Sequence, residues 1–340
     1  MGRLNVLKIM GLGLIVLVLL NSTTLGAQKK VVIKMATIAP DGSAWMQVFN
    51  ELNADLMAKT DNRVSFRIYP GGVLGDEKDM LRKMYIGQIH GAALLAPGLS
   101  TLMKDVNVTQ VPFLFETYDE VDYVLTKMDV FFKKGFEDKG YVLMGWSEGG
   151  FVRMMSTVPI NTLSDLKKAK VWTWEDAPIA QAIFDEANIS AIPLSIPDVL
   201  LGLQTDMIQV VYAPPAGAIS LQWFVRTKFM TDVPLMYLAG GIVIKREVLN
   251  AIPKADLQLM TESIDRYMTK MKDVIRKQNH EAIAVMEKHG VKILKPAREE
   301  IEKFKSLSNA AMQRLGNNVL SKDVLNEVYG HLEAYRKEKK

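Results

Sequence analysis

The stretch from Leu163 to Ala213 constrains the fold more than any other part of the chain. It opens on the polar turn Leu163-Ser164-Asp165-Leu166-Lys167-Lys168 and runs into Val171-Trp172-Thr173-Trp174, a short strand with two tryptophans at its end. It closes on Val199-Leu200-Leu201-Gly202-Leu203-Gln204, a short helix, then a tight turn and the apolar strand Val210-Val211-Tyr212-Ala213. A strand apolar on both faces is covered on both faces. This grammar belongs to a parallel α/β sheet whose strand ends border a ligand crevice.

The residues before it repeat the same alternation. Val31 to Ala36 is a β-branched apolar run bounded by Pro40-Asp41-Gly42, which predicts a first, central strand. Ser43 precedes a helix to about Lys59, with Trp45, Phe49, Leu52 and Leu56 at helical spacing on its buried face. Arg63 to Tyr69 alternates apolar and polar residues as a second strand. Asp76 starts the next helix, where Glu77 and Asp79 oppose the positive end of the helix dipole. Gly87 to Ala96 is expected as the third strand, and Phe113 to Lys139 as a loop and a helix stopped by Gly140. The strand Tyr141 to Met144 follows. Strand-helix repetition of this kind predicts a doubly wound lobe.

Gly149-Gly150 at a strand exit suits a crossing between lobes, because glycine absorbs large backbone changes without steric cost. Ala239-Gly240-Gly241-Ile242 returns the chain as a second crossing strand. Pro253 then opens a helical pattern through about His289, with Leu257, Met260, Ile264, Met268, Met271 and Ile275 on one face. Such a helix is longer than one lobe and is expected to brace both. The predicted division is residues 28–149 with about 238–275 in the first lobe, and 150–237 with about 276–337 in the second, the helices near 297–315 and 321–337 finishing the second. A chain of 340 residues also exceeds the roughly 250 to 300 at which single cores stop growing.

Residues 1–27 are expected to be a Sec-type signal peptide, with Arg3 and Lys8 before the apolar run Ile9 to Leu20 and small residues ending at Ala27. The run is shorter than the roughly twenty residues of a membrane span, so a periplasmic chain, soluble after cleavage, is expected. There is no cysteine, hence neither disulfides nor thiolate metal sites. Arg3 and Lys8 account for two of the formal +4 charges, and the rest are interspersed, which leaves no nucleic-acid footprint.

Gly145-Trp146-Ser147-Glu148-Gly149 matches the G-x-S-x-G nucleophile elbow, the one motif that would make the chain a serine hydrolase. The elbow needs a helix directly after the serine, whereas Gly149-Gly150-Phe151-Val152 looks extended. His280-Glu281 is no zinc helix, since Ala284 stands four residues on, and the four histidines show no metal-ligand spacing. The twenty methionines fall mostly at core spacing, as flexible gap-fillers do. No cofactor, no metal and no catalysis are expected.

Tyr69-Pro70-Gly71-Gly72-Val73-Leu74-Gly75-Asp76-Glu77 and its continuation to Gly87-Gln88-Ile89, set beside Asp165-Leu166-Lys167 to Trp172 and Leu203-Gln204-Thr205 to Val210, resemble the periplasmic solute receptors of tripartite ATP-independent periplasmic (TRAP) transporters. The resemblance covers most of the chain from about Val31. It implies an α/β fold of two lobes, type II-like among periplasmic binding proteins, with hinge strands and a helix spanning both. It also implies membrane permease subunits as partners and, in divergent systems, a helical-repeat periplasmic protein.

The family holds a solute carboxylate with an arginine at the end of the strand that here ends in Trp172, and often with a second where this chain has Val152. Arg153 is adjacent, but neighbouring strand residues face opposite ways. The family's polar residue after the following turn falls at Ala213, beside Tyr212, and its Asp-Gly becomes Gln209-Val210. Leu94 and Leu95 replace common polar residues. Each change removes polarity from one crevice, so the expected ligand is apolar or aromatic and enclosed by Trp172, Trp174, Trp223, Tyr212 and Leu95, its polar head reached by Gln209, Tyr212 or His90. The alternative is an organic acid held by Arg153.

Overall fold

Strand β4 (Tyr141–Ser156) connects everything else in the computed structural model, which describes residues 30–339; the expected signal peptide lies outside the described residues. The strands before it are β1 (Val31–Thr37), β2 (Val64–Tyr69) and β3 (Gly91–Leu95). Those after it are β5 (Trp172–Thr173), β6 (Ile192–Pro193), β7 (Val210–Ala213), β8 (Phe229–Thr231), β9 (Met236–Lys245) and β10 (Lys292–Leu294). Pairing runs β10-β8-β4-β9-β3-β1-β2, with β7 also on β4 and a separate β5-β6 pair. β4 lies antiparallel to β9 from Tyr141, in the first lobe, as far as Val152 at the boundary with the second, and pairs with β7 and β8 of the second lobe from Arg153 to Ser156. Two long strands thus pass between the lobes, and the fold is the expected two-lobed α/β.

The crossing has a local cause. The register of β4 against β9 shifts between Leu143 and Gly145 and again between Glu148 and Gly150. Bulges of this kind bend a strand and increase its twist. Gly150 takes φ +105°, and a Cβ there would press into Asn279 Nδ2 and come 2.8 Å from the Tyr118 hydroxyl. Only glycine fits.

The helix Ala44–Lys59 is capped by Ser43, whose hydroxyl accepts from the Met46 N–H at 3.3 Å. Its Phe49, Leu52 and Leu56 bury against β1 and β2. The helix Lys254–Lys288 has 35 residues, about 52 Å at roughly 1.5 Å per residue. Met260 to Ile275 pack into the first lobe's core, whereas Met286 packs with Trp172, Trp223 and Met230 in the second. One helix braces both lobes, as expected.

Several elements differ from the sequence reading. The third strand is only Gly91–Leu95, and a helix Ala96–Leu102 starts at once, since Pro97 suits a first helical turn and the Glu77 carboxylate accepts from the N–H groups of Leu95 (2.6 Å) and Gly98 (2.9 Å). Leu163–Lys168 is a short helix rather than a turn, closed by a capping box between Thr162 and Asp165. Two helices, Tyr118–Lys127 and Asp129–Glu137, stand where one was expected. The helix Lys322–Glu338 packs on the first lobe instead of the second: Val324, Val328 and Leu332 bury with Val106, Val121 and Val124, and Arg336 Nε donates to Glu120 Oε1 at 2.7 Å. Among the described residues no helix is long and apolar enough to cross a membrane.

Candidate functional site

Val171 bridges Val210 in parallel, and Trp172 pairs with Ile192, so β5 lies between β6 and β7 and delivers both tryptophans to the boundary between the lobes. Trp172 is 1% exposed. Its ring lies 4.9 Å from that of Tyr212 and 5.4 Å, edge-on, from that of Trp223, and its indole N–H donates to the Leu194 carbonyl at 3.0 Å. Such contacts fix an aromatic wall in one orientation.

Trp174 reaches the other way. Its indole N–H donates to Asp76 Oδ2 at 2.8 Å, across to the first lobe, and the same oxygen accepts from the Ile196 N–H at 3.1 Å. Asp76 Oδ1 accepts from the Glu77 N–H at 2.7 Å. Burial raises the Asp76 carboxyl above its ordinary value, opposed by these three N–H donors.

Between these walls is a cavity of about 100 Å³. Trp172, Trp174, Val152, Tyr212, Ala213 and Trp223 line it from the second lobe, and Ile38, Leu95 and Gln110 from the first. Tyr212 turns its hydroxyl to 3.4 Å from Thr173 Oγ1, and burial raises that phenol further from ionisation. A second cavity of about 130 Å³ adjoins it, sharing Ile38, Leu95, Gly149, Gly217 and Leu221. Leu94 lines this one, as do Ser147, Ser220 and Gln278. Among the described residues no lysine, arginine or histidine lines either cavity.

The structure therefore brings seven of the expected residues to one cavity and Leu94 to its neighbour. Three lie elsewhere. His90 precedes β3 at the end remote from Leu95, its Nδ1 accepting from the Lys34 N–H at 3.2 Å, because it is the last residue of the strand that reaches the crevice. Gln209 precedes β7 in the same way, and its Oε1 accepts from the Lys170 N–H at 3.2 Å. Arg153, next to Val152 on the strand, lines neither cavity and pairs with Asp232 at 3.3 Å.

Ser147 sits in mid-strand opposite Gly240, with no helix behind it, so the nucleophile elbow is not formed. Its neighbour Glu148 belongs to a buried ionic cluster at the hinge. Arg276, on the long helix, donates Nε to Glu148 Oε1 (2.9 Å) and Nη1 to Asp122 Oδ2 (2.7 Å), while the Tyr237 hydroxyl donates to Glu148 Oε2 at 2.8 Å. Burial opposes its charge, but these two carboxylates hold the guanidinium firmly protonated.

Ile38, Gln110 and the role of Asp76 were not read from the sequence. Ile38 directly follows β1, and the rule that ligands lie beyond the carboxyl ends of parallel strands singles it out. Asp76 carries a helix-cap signal, which hides its second partner. Gln110 ends a short 3₁₀ segment with no pattern of its own.

A family model described as bacterial extracellular solute-binding protein, family 7, matches residues 35–318. The 2,3-diketo-L-gulonate-binding periplasmic protein of Escherichia coli is 23% identical over 248 residues, 72% of this chain and 74% of the relative. The sugar acid binding protein of Advenella mimigardefordensis, solved with galactonate, shares the fold at a TM-score of 0.84 with 16% identity, over 90% of this chain and 99% of that one. A TRAP solute-binding protein from Desulfovibrio salexigens with bound orotic acid gives 0.81 and 17%, over 89% and 100%. With the family model spanning most of its length, and both crossing strands and the bracing helix in place, the chain belongs to the family 7 bacterial extracellular solute-binding proteins, the periplasmic receptors of TRAP transporters.

Proposed function

We propose that this TRAP-type receptor, exported to the periplasm, closes on an apolar or aromatic solute that carries no anionic group for the protein to neutralise, and hands it to membrane permease subunits without altering it. The observation that supports this reading is the lining: among the described residues no lysine, arginine or histidine borders these two cavities, and by the family resemblance Trp172 stands where a carboxylate-binding arginine is expected. Galactonate and orotic acid, held by the structural relatives, are acids. Burying such a group here without a cation would cost several kcal/mol.

Apolar contact suffices in its place. At about 25 cal/mol per Å², a solute burying about 300 Å² gains roughly 7 kcal/mol before the cost of association. Binding of this kind is weakly sensitive to salt. Thermal-shift screening of small neutral aromatics, lipids and organic acids at low and molar salt tests it. Stabilisation by neutral apolar compounds, unchanged by salt, is expected; strong salt-sensitive stabilisation by a small dicarboxylate would overturn the reading.

A further inference from the structure

We propose that the site continues out of the cleft as a string of apolar chambers along β4, built to take one unbranched alkyl chain bearing a neutral polar head. This rests on the reading of an apolar solute above. Beyond the cleft lie two further cavities of about 60 Å³ each. The first shares Val152, Ala180, Tyr212 and Met236 with the cleft cavity. The second shares Met154, Leu166, Leu235 and Phe304 with the first. Consecutive chambers thus adjoin through lining residues that they share.

The floor is the hinge strand itself. Ser147 borders the cavity nearest the long helix, Gly149 that cavity and the cleft, Val152 the cleft and the next chamber, and Met154 the last two. Val152 and Met154 alternate onto one face of the strand. From Ser147 to Met154 the strand spans at most about 23 Å at roughly 3.3 Å per residue, with a bend at the Glu148–Gly150 register shift. The two outer chambers are smaller than the cleft, so they admit a chain better than a ring. Met236 and Met154, at the junctions, are side chains that give way readily.

The ends decide the head group. Among the described residues, Ser147, Ser220 and Gln278 use no side-chain atom in a hydrogen bond, and all three border the cavity nearest the long helix. Glu148 beside them has both oxygens engaged by Arg276. At the far end Glu300 accepts from the Leu163 N–H at 3.1 Å. Among the described residues no lysine, arginine or histidine borders any of these four chambers. A hydroxyl or ester head fits at the Ser147 end, and a carboxylate at neither.

The test is a ladder of n-alkanols of increasing length, with fatty acids of matched length, titrated calorimetrically into the full chain. Affinity should rise roughly fourfold per methylene, the equivalent of about 0.8 kcal/mol for each one buried, and should keep rising beyond the length that fills the cleft. Phe304→Trp, which narrows both outer chambers, and, independently, Val233→Phe, which narrows the last one, should each end the rise at a shorter chain, with an unligated melting curve like the parent's reporting that the variant is folded. A plateau at cleft length in the unaltered protein, or unchanged long-chain affinity in both variants, overturns the proposal. Tight binding of a compact aromatic with no response to chain length overturns it while leaving the apolar solute intact, and salt-sensitive binding of the acids overturns both.

Discussion

The indole N–H of Trp174 donates to Asp76 Oδ2 at 2.8 Å, joining a wall of the second lobe to the cap of a first-lobe helix. The residue that walls the cavity thus also holds the lobes together. Asp76→Ala removes an acceptor from Trp174 and from the Ile196 N–H, a loss of about 1 to 3 kcal/mol for a buried donor left unpaired. Small-angle X-ray scattering should show a larger radius of gyration for the variant, and bound solute should leave faster. A scattering profile identical to that of the parent would mean that Asp76 serves only as a helix cap.

Trp172 should matter more than its neighbours. Trp172→Ala empties the space beneath Tyr212 and Trp223 and should cost about 3 to 5 kcal/mol of stability, with loss of solute binding. Trp172→Arg puts a cation into the cleft cavity, and on the proposed function should add salt-sensitive binding of a sugar acid such as galactonate that the parent lacks, read by thermal shift. Failure of every sugar acid to stabilise a folded Trp172→Arg protein would show that this position does not set ligand charge.

Gly150→Ala should destabilise the hinge. Its φ of +105° and the nearby Asn279 and Tyr118 side chains leave no room for a methyl group. Alanine at positive φ costs more than about 1 kcal/mol. Asn279 also donates to the Gly149 carbonyl at 2.7 Å and accepts from the Ala216 N–H at 3.0 Å, so a shifted Asn279 disturbs both lobes. Chemical denaturation should show a lower midpoint for Gly150→Ala than for Gly217→Ala, where a Cβ meets little.

Burial alone would raise the Asp122 carboxyl, but Arg276 and Lys272 outweigh it and hold the group below its ordinary value. A carboxylate depressed in the folded state contributes stability that is complete above its unfolded pKa and is lost as pH falls through the folded one. Melting curves from neutral pH down through the acid range should therefore fall less steeply for Asp122→Asn than for the parent. Parallel curves would remove Asp122 from the acid response.

The fold was legible because its signals are periodic. The apolar face from Met260 to Ile275 announces the bracing helix, and Gly149-Gly150 marks the crossing. The wall of Trp172, Trp174 and Tyr212 was legible too, since a strand's carboxyl end reaches the crevice by geometry. That same geometry excludes His90 and Gln209, which precede their strands rather than end them. Strand alternation separates Arg153 from Val152. The Asp76–Trp174 bond was not legible, because its partners are 98 residues apart and each satisfies a local pattern without the other. The last helix was misplaced for a similar reason: a stripe of Val324, Val328 and Leu332 states that something covers it, not what.

The solute itself decides the central claim. Protein purified without denaturation, extracted into organic solvent and analysed by mass spectrometry against a mock preparation, should release a neutral, largely apolar compound in near-equimolar amount. A carboxylic acid recovered at that stoichiometry, and lost from the Trp172→Ala protein, would contradict it.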